Sequence, residues 1–140
     1  MDNGIKVTIQ KDKEKVKIRI PYELKSYENP EKLTIWKINE HGTIIPVTNA
    51  RYNGKEGVFR INESGNYYVS YVEKTFKDIN KYTWAKESIE ILASKGIING
   101  VEENMYAPEK NVTRGDFVKL LVETLDLDSD EETIMFKCFE

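Results

Sequence analysis

The chain has 140 residues, 39% hydrophobic and 11% aromatic, enough for one ordinary domain or two small ones with packed cores. Charged residues make up 32% and sum to a net charge of -3, which argues against disorder driven by self-repulsion and gives no global basic field for nucleic acid. No apolar run approaches the roughly 18 residues a membrane span needs, and Met1-Asp2-Asn3-Gly4 is neither a signal nor a transit peptide, so export of this sequence requires a signal outside it.

The charge is uneven along the chain. Residues 1–75 carry 13 Lys and Arg against 10 Asp and Glu, and residues 76–140 carry 8 against 14. Five acids between Asp126 and Glu132 read as a solvated acidic tail, because the glycine and terminal bidentate Glu of an EF-hand loop are absent at loop spacing. Cys138 has no intrachain partner for a disulfide, and no metal-ligating cluster or cofactor motif is evident.

Ile5-Lys6-Val7-Thr8-Ile9 and Val16-Lys17-Ile18-Arg19-Ile20 alternate apolar with polar residues, the period of half-buried strands, and Lys11–Glu14 between them reads as a hairpin turn. Further strands are predicted over Leu33–Asn39, Thr43–Val47, Gly57–Ile61 and Asn66–Val72, separated by turn residues at Glu40-His41-Gly42, Asn53-Gly54 and Glu63-Ser64-Gly65. Asn53-Gly54 predicts a tight hairpin turn with both residues at positive φ. About six strands at this spacing predict a small antiparallel sandwich.

From Thr83 the apolar period becomes helical, with Ala85, Ser88, Ile89 and Leu92 on one face and Gly96 placed to take a left-handed cap. A second helix is predicted from Thr113, whose hydroxyl is spaced to cap the Asp116 amide while that carboxylate reaches back, with Phe117, Leu120, Leu121, Thr124 and Leu125 as its stripe. The loop of about sixteen residues between the helices is long enough to hold structure of its own.

Five clusters follow in order: Phe76-Lys77-Asp78-Ile79, Trp84-Ala85, Gly96-Ile97-Ile98-Asn99-Gly100, Tyr106-Ala107-Pro108 and Val112-Thr113-Arg114-Gly115-Asp116-Phe117. Together they resemble the S-layer homology module, two helices around an ordered loop. The resemblance implies an α+β chain: residues 1–74 an N-terminal antiparallel β-sandwich-like domain acting as spacer, and residues 75–140 one two-helix S-layer homology module with an acidic tail. Residues 5–72 are more loosely similar to the small β-domains that precede such modules in surface proteins of Gram-positive bacteria.

In that family three modules pack together and bind secondary cell-wall polysaccharide, often carrying a pyruvyl ketal, in grooves between them. The resemblance implies an extracellular, wall-associated protein whose partners are that polysaccharide and other S-layer homology modules, reached in one of two ways, within a longer chain or by self-association. Neither nucleic acid nor membrane insertion is expected. This sequence holds one module, and Gly115-Asp116 stands where the family more usually has Ala-Glu.

The glycan-binding candidates are Arg114, Trp84, Asp78 and Gly100. Arg114 has two readings, a two-pronged grip on a ligand carboxylate or a brace to Asp116 or Glu109. Trp84 offers a flat face to a sugar or packs under the loop against Tyr106, the latter favoured. Asp78 binds a sugar hydroxyl or, the favoured reading, caps the turn before the first helix. Gly100 serves backbone geometry or close ligand approach.

No catalytic pair is legible, because His41 lies in a predicted turn, Cys138 lies near the end, and Glu87 and Glu90 fit a solvated helix face. The expected function is non-catalytic anchoring; the alternative is a structural spacer or assembly element that packs against other modules without binding glycan.

Overall fold

The structure, a computed structural model, describes residues 4–9, 15–39, 41–125 and 127. The proposed turn at Lys11–Glu14, the acidic tail apart from Leu127, and Cys138 lie outside the described residues. The fold is α+β: strands fill the first half and helices the second.

Among the described residues there are seven strands, β1 (Gly4–Val7), β2 (Val16–Pro21), β3 (Leu33–Ile38), β4 (Ile44–Val47), β5 (Arg51–Tyr52), β6 (Glu56–Ile61) and β7 (Gly65–Tyr71). They form two antiparallel sheets, ordered β1-β7-β3-β4 and β2-β6-β5. The sheets meet through their alternating apolar residues: Leu33, Ile35, Tyr67 and Val69 from the first pack with Ile20, Phe59 and Ile61 from the second. Phe59 and Tyr67 meet across the gap as tilted rings 5.3 Å apart. A Cβ at Gly57 would lie 3.1 Å from Ile35 Cδ1, so this position keeps the sheets close.

Two expectations fail here. β1 and β2 do not form a hairpin, because β1 pairs with β7 and β2 with β6, in different sheets. Both strands carry the same alternation, and alternation specifies a buried face without specifying which neighbour completes it. The Asn53-Gly54 turn also differs, since Gly54 has φ +99 but Asn53 is not left-handed. The Asn53 side-chain oxygen instead accepts from the amides of Lys55 and Glu56 at 3.0 and 2.9 Å, an Asx arrangement that turns the chain over a longer loop.

Two helices follow, α1 (Thr83–Ser94) and α2 (Arg114–Leu125). A second core of Phe76, Ile79, Ile89, Ala93, Ile97 and Ile98 lies beneath α1, with Ala85, Leu92, Tyr106 and Leu120 packed on it. Helix α1 ends as its sequence predicts: Gly96 takes φ +73, its amide donates to the Ala93 carbonyl at 3.1 Å, and Ile97 donates to Leu92 at 3.0 Å. Those bonds satisfy two of the carbonyls left open by the helix end.

The end of α1 is seated on the outer side of the first sheet. Thr34, fully buried on β3, donates its hydroxyl to the Ser94 carbonyl at 2.9 Å, satisfying another open carbonyl of the helix. In return Lys95, 6% exposed, sends its ammonium to the carbonyls of Leu33 and Ala50 at 3.3 and 3.0 Å. Nearby, Lys32 is buried and pairs with Glu90 at 3.1 Å, whose other oxygen accepts from Thr75 at 2.7 Å. Glu90 is therefore no solvated acid; burial opposes its charge, and Thr75 and Lys32 outweigh it to hold its pKa below the ordinary carboxylate value. Pro46 on β4 completes the seam, since a Cβ on Gly96 would come within 2.7 Å of its ring.

Lys95 makes stability depend on pH. Burial first, and then the nearby Arg51 charge, push its pKa down to about 8. Between that value and the ordinary lysine range near 10.5 the unfolded chain holds a proton that the folded chain has lost, so stability rises with pH. The slope is bounded by about 1.4 kcal/mol per pH unit. Above pH ~10 the Tyr22 phenol acts with the opposite sign, because burial and then Glu28 raise its pKa to about 12 and the folded state keeps that proton. Thermal melts are thus expected to move upward from pH ~8 to ~9.5, and Lys95→Met to remove that rise.

Candidate functional site

The segment between the helices is ordered by its own contacts. Val101 donates to Met105 at 2.9 Å, Glu102 and Met105 form a bridge, and Asn104 turns the chain at φ +61. Asp78, in the short turn Lys77–Ile79 ahead of α1, reaches across to accept from Tyr106 at 3.0 Å and from Ala107 at 2.7 Å. The Tyr106 amide bond, seconded by that from Ala107, holds the Asp78 pKa below its ordinary value. Ala107 has φ +58, an uncommon conformation for a residue with a Cβ, and it precedes Pro108. Asp78 thus pins the loop at its most constrained residue.

Gly100 serves the same loop by its size. A Cβ there would lie 2.4 Å from the Met105 carbonyl oxygen and 2.8 Å from the Phe76 ring, so any larger residue would push the loop off the second core. The Phe76 ring packs in turn against Tyr106, with centroids 5.5 Å apart. Asp78 and Gly100 therefore meet at one structure, the loop over the second core.

The second helix starts with the reciprocal cap written in its sequence. The Asp116 amide donates to Thr113 Oγ1 at 3.1 Å, and the Thr113 hydroxyl and amide donate to Asp116 Oδ2 at 2.7 and 3.4 Å. The Thr113 hydroxyl bond holds the Asp116 pKa below its ordinary value. Arg114 follows as the first residue of α2, exposed and without an ion pair or hydrogen bond among the described residues. Neither expected brace is made among the described residues; both carboxylates engage other partners. Glu109 accepts from the Tyr82 hydroxyl and from Lys81, the latter at 2.9 Å, and Asp116 belongs to Thr113.

Trp84, in the first turn of α1, is 86% exposed. The favoured packing against Tyr106 is therefore absent; Phe76 fills that place, and Trp84 sits on the side of α1 away from Ile89 and Ala93. No cation–π contact joins Trp84 to Arg114 among the described residues, so the two stand as separate exposed groups near the starts of the two helices. Between the loop and α2 runs a groove of about 330 Å3 lined by Ile98, Tyr106, Pro108, Asn111, Val112 and Lys119.

Helix α2 has one half-buried contact with the second core, through Leu120, and no buried residue. Phe117, Leu121 and Leu125 of its predicted stripe are exposed, together with Val118 and Val122. Sequence reasoning missed the buried lysines, because Lys32 and Lys95 carry no local signal that separates them from solvated ones.

Residues 75–118 match the family model of the S-layer homology domain. The amylopullulanase of Thermoanaerobacterium thermosulfurigenes is 27% identical over 133 residues, 91% of this chain and 7% of that protein. The endo-1,4-beta-xylanase A of Thermoanaerobacterium saccharolyticum is 40% identical over 57 residues, 41% of this chain and 5% of that protein. The S-layer protein sap of Bacillus anthracis is 32% identical over 59 residues, 42% of this chain and 7% of that protein. The chain thus spans between 5% and 7% of the length of these relatives. No solved structure matches it. With the family match and the two-helix geometry in agreement, residues 75–118 are an S-layer homology domain, preceded here by a two-sheet β region.

Proposed function

We propose that the chain is a non-catalytic cell-surface anchoring segment, extracellular and wall-associated, that contributes to binding secondary cell-wall polysaccharide. Residues 1–74 form a β-domain that carries the load between cargo and anchor, and residues 75–140 form one anchoring module. The observation that carries this reading is a pair of side chains with no structural employment. Among the described residues Arg114 has an unused guanidinium, and it stands at a helix N-terminus, where the dipole also favours an anion. Trp84 presents nearly its whole indole to solvent, where it offers a broad apolar face. A carboxylate such as a pyruvyl ketal suits the first, and the apolar face of a sugar ring suits the second. Asp78 and Gly100 contribute by fixing the loop that borders the glycan.

The second reading, an assembly element, is favoured by the uncovered stripe of α2. Contiguous exposed Phe117, Leu121 and Leu125 call for a protein neighbour, either another module or a second copy of this chain. The two readings are compatible, since α2 offers its N-terminus to glycan and its side to protein.

Two expected outcomes follow. Arg114→Lys keeps the charge but loses the planar fork, and is expected to weaken binding to purified wall polysaccharide by about 1–3 kcal/mol with no change in melting temperature. Removing the ketal from the glycan should erase the difference between the two proteins. Equal affinity of wild type and variant for the intact glycan would reject the ligand role of Arg114. In sedimentation, the wild-type chain is expected to self-associate with rising concentration and Leu121→Glu to remain monomeric. A monomeric wild type at high concentration would count against the assembly reading.

A further inference from the structure

The second sheet carries an arrangement of charge that its own stability does not explain. Ile18 and Ile20 on β2 and Gly57, Phe59 and Ile61 on β6 face the core, so Lys17, Arg19, Glu56, Val58 and Arg60 face outward. The register sets Lys17 directly opposite Arg60 and Arg19 opposite Val58. Like charges directly opposite on neighbouring strands destabilise a sheet. Lys17 and Arg60 are both exposed and make no ion pair among the described residues. Arg19 has Glu56 at 4.0 Å, with 60% of the Arg19 side chain exposed, a weak pairing. Helix α1 docks on the first sheet, at Thr34 and Pro46, and leaves this face open.

A local rule broken without structural gain points to function. We propose that the outer face of the β2-β6 pair is a docking surface for a carboxylated polysaccharide, through Lys17, Arg19 and Arg60. The choice of a glycan over other polyanions rests on the cell-surface reading above; the cationic face itself does not. Two of the three groups are arginines, whose planar forks match carboxylates. Neighbouring strands lie about 4.8 Å apart, so Lys17 on β2 and Arg60 on β6 stand within reach of one polymer chain. The β region is then a second wall contact and not a passive spacer.

The test measures binding of the whole chain to immobilised polygalacturonate, with polyphosphate as the second probe. Lys17→Gln/Arg60→Gln is expected to lose about tenfold or more in affinity for polygalacturonate, with a shallower salt dependence. Its melting temperature is expected to hold or rise, because the opposed charges are gone, so loss of binding cannot be ascribed to unfolding. Lys6→Gln/Lys55→Gln removes the same charge from elsewhere on the β region and is expected to bind as wild type. Equal losses in the two double variants, or tighter binding of wild type to polyphosphate than to polygalacturonate, would overturn the proposal. So would a dimer that Lys17→Gln/Arg60→Gln converts to monomer, which would assign the face to a second copy of the chain. The helical glycan site is read separately, through the ketal dependence of binding to purified wall polysaccharide, so its failure leaves the polygalacturonate comparison of the two double variants standing.

Discussion

A helix that ends against a protein surface must find partners there for its last carbonyls, and the whole chain is arranged around how α1 meets that demand. Gly96 turns the backbone so that two carbonyls are satisfied within the helix end, and Thr34 reaches from β3 to satisfy the Ser94 carbonyl. Lys95 then returns the exchange by filling carbonyls of Leu33 and Ala50. Because each side supplies donors to the other, neither surface is complete when separated. An apolar seam would tolerate sliding, whereas directional bonds from buried groups fix one orientation.

That fixed orientation decides what the rest of the second half exposes. With one side of α1 committed to its core and its end to the sheet, Trp84 is turned outward. The loop after α1 is closed from the opposite direction by Asp78, which leaves α2 touching the remainder through Leu120. The result is an asymmetric body: a firmly seated first helix and a second helix whose apolar side is open. The exposed groups are those that the internal bonding has passed over.

Much of this was legible in residue order. The change of apolar period separated strands from helices, Thr113 and Asp116 announced their mutual cap, and Gly96 announced a left-handed residue. What escaped was nonlocal. β1 and β2 each showed a buried face, but their partners lie far along the chain in β7 and β6, and no local signal names them. Arg51–Tyr52 is too short a strand to show alternation. Glu90 read as a solvated acid, and Lys32 and Lys95 drew no expectation of burial, because a partner from another element leaves no trace in neighbouring residues. At the candidate site the loop and its spacing were readable, while the outward turn of Trp84 and the lack of a partner for Arg114 among the described residues depended on which contacts other residues had already taken.

The pairing of β1 with β7 has a mechanical meaning. Gly4 lies opposite Tyr68 and Val7 opposite Gly65, so β1 enters at the same end from which β7 leaves toward the helices. Tension applied between the start of β1 and the segment that follows β7 therefore pulls these strands apart from that shared end, and their bonds open one after another, as in a zipper. A parallel pairing would have loaded all of them together in shear. As an edge strand held by β7 alone, β1 is the compliant element under such a load, and its release lengthens the chain while the polar bonds of Lys95 to Leu33 and Ala50 lie outside the β1-β7 pair.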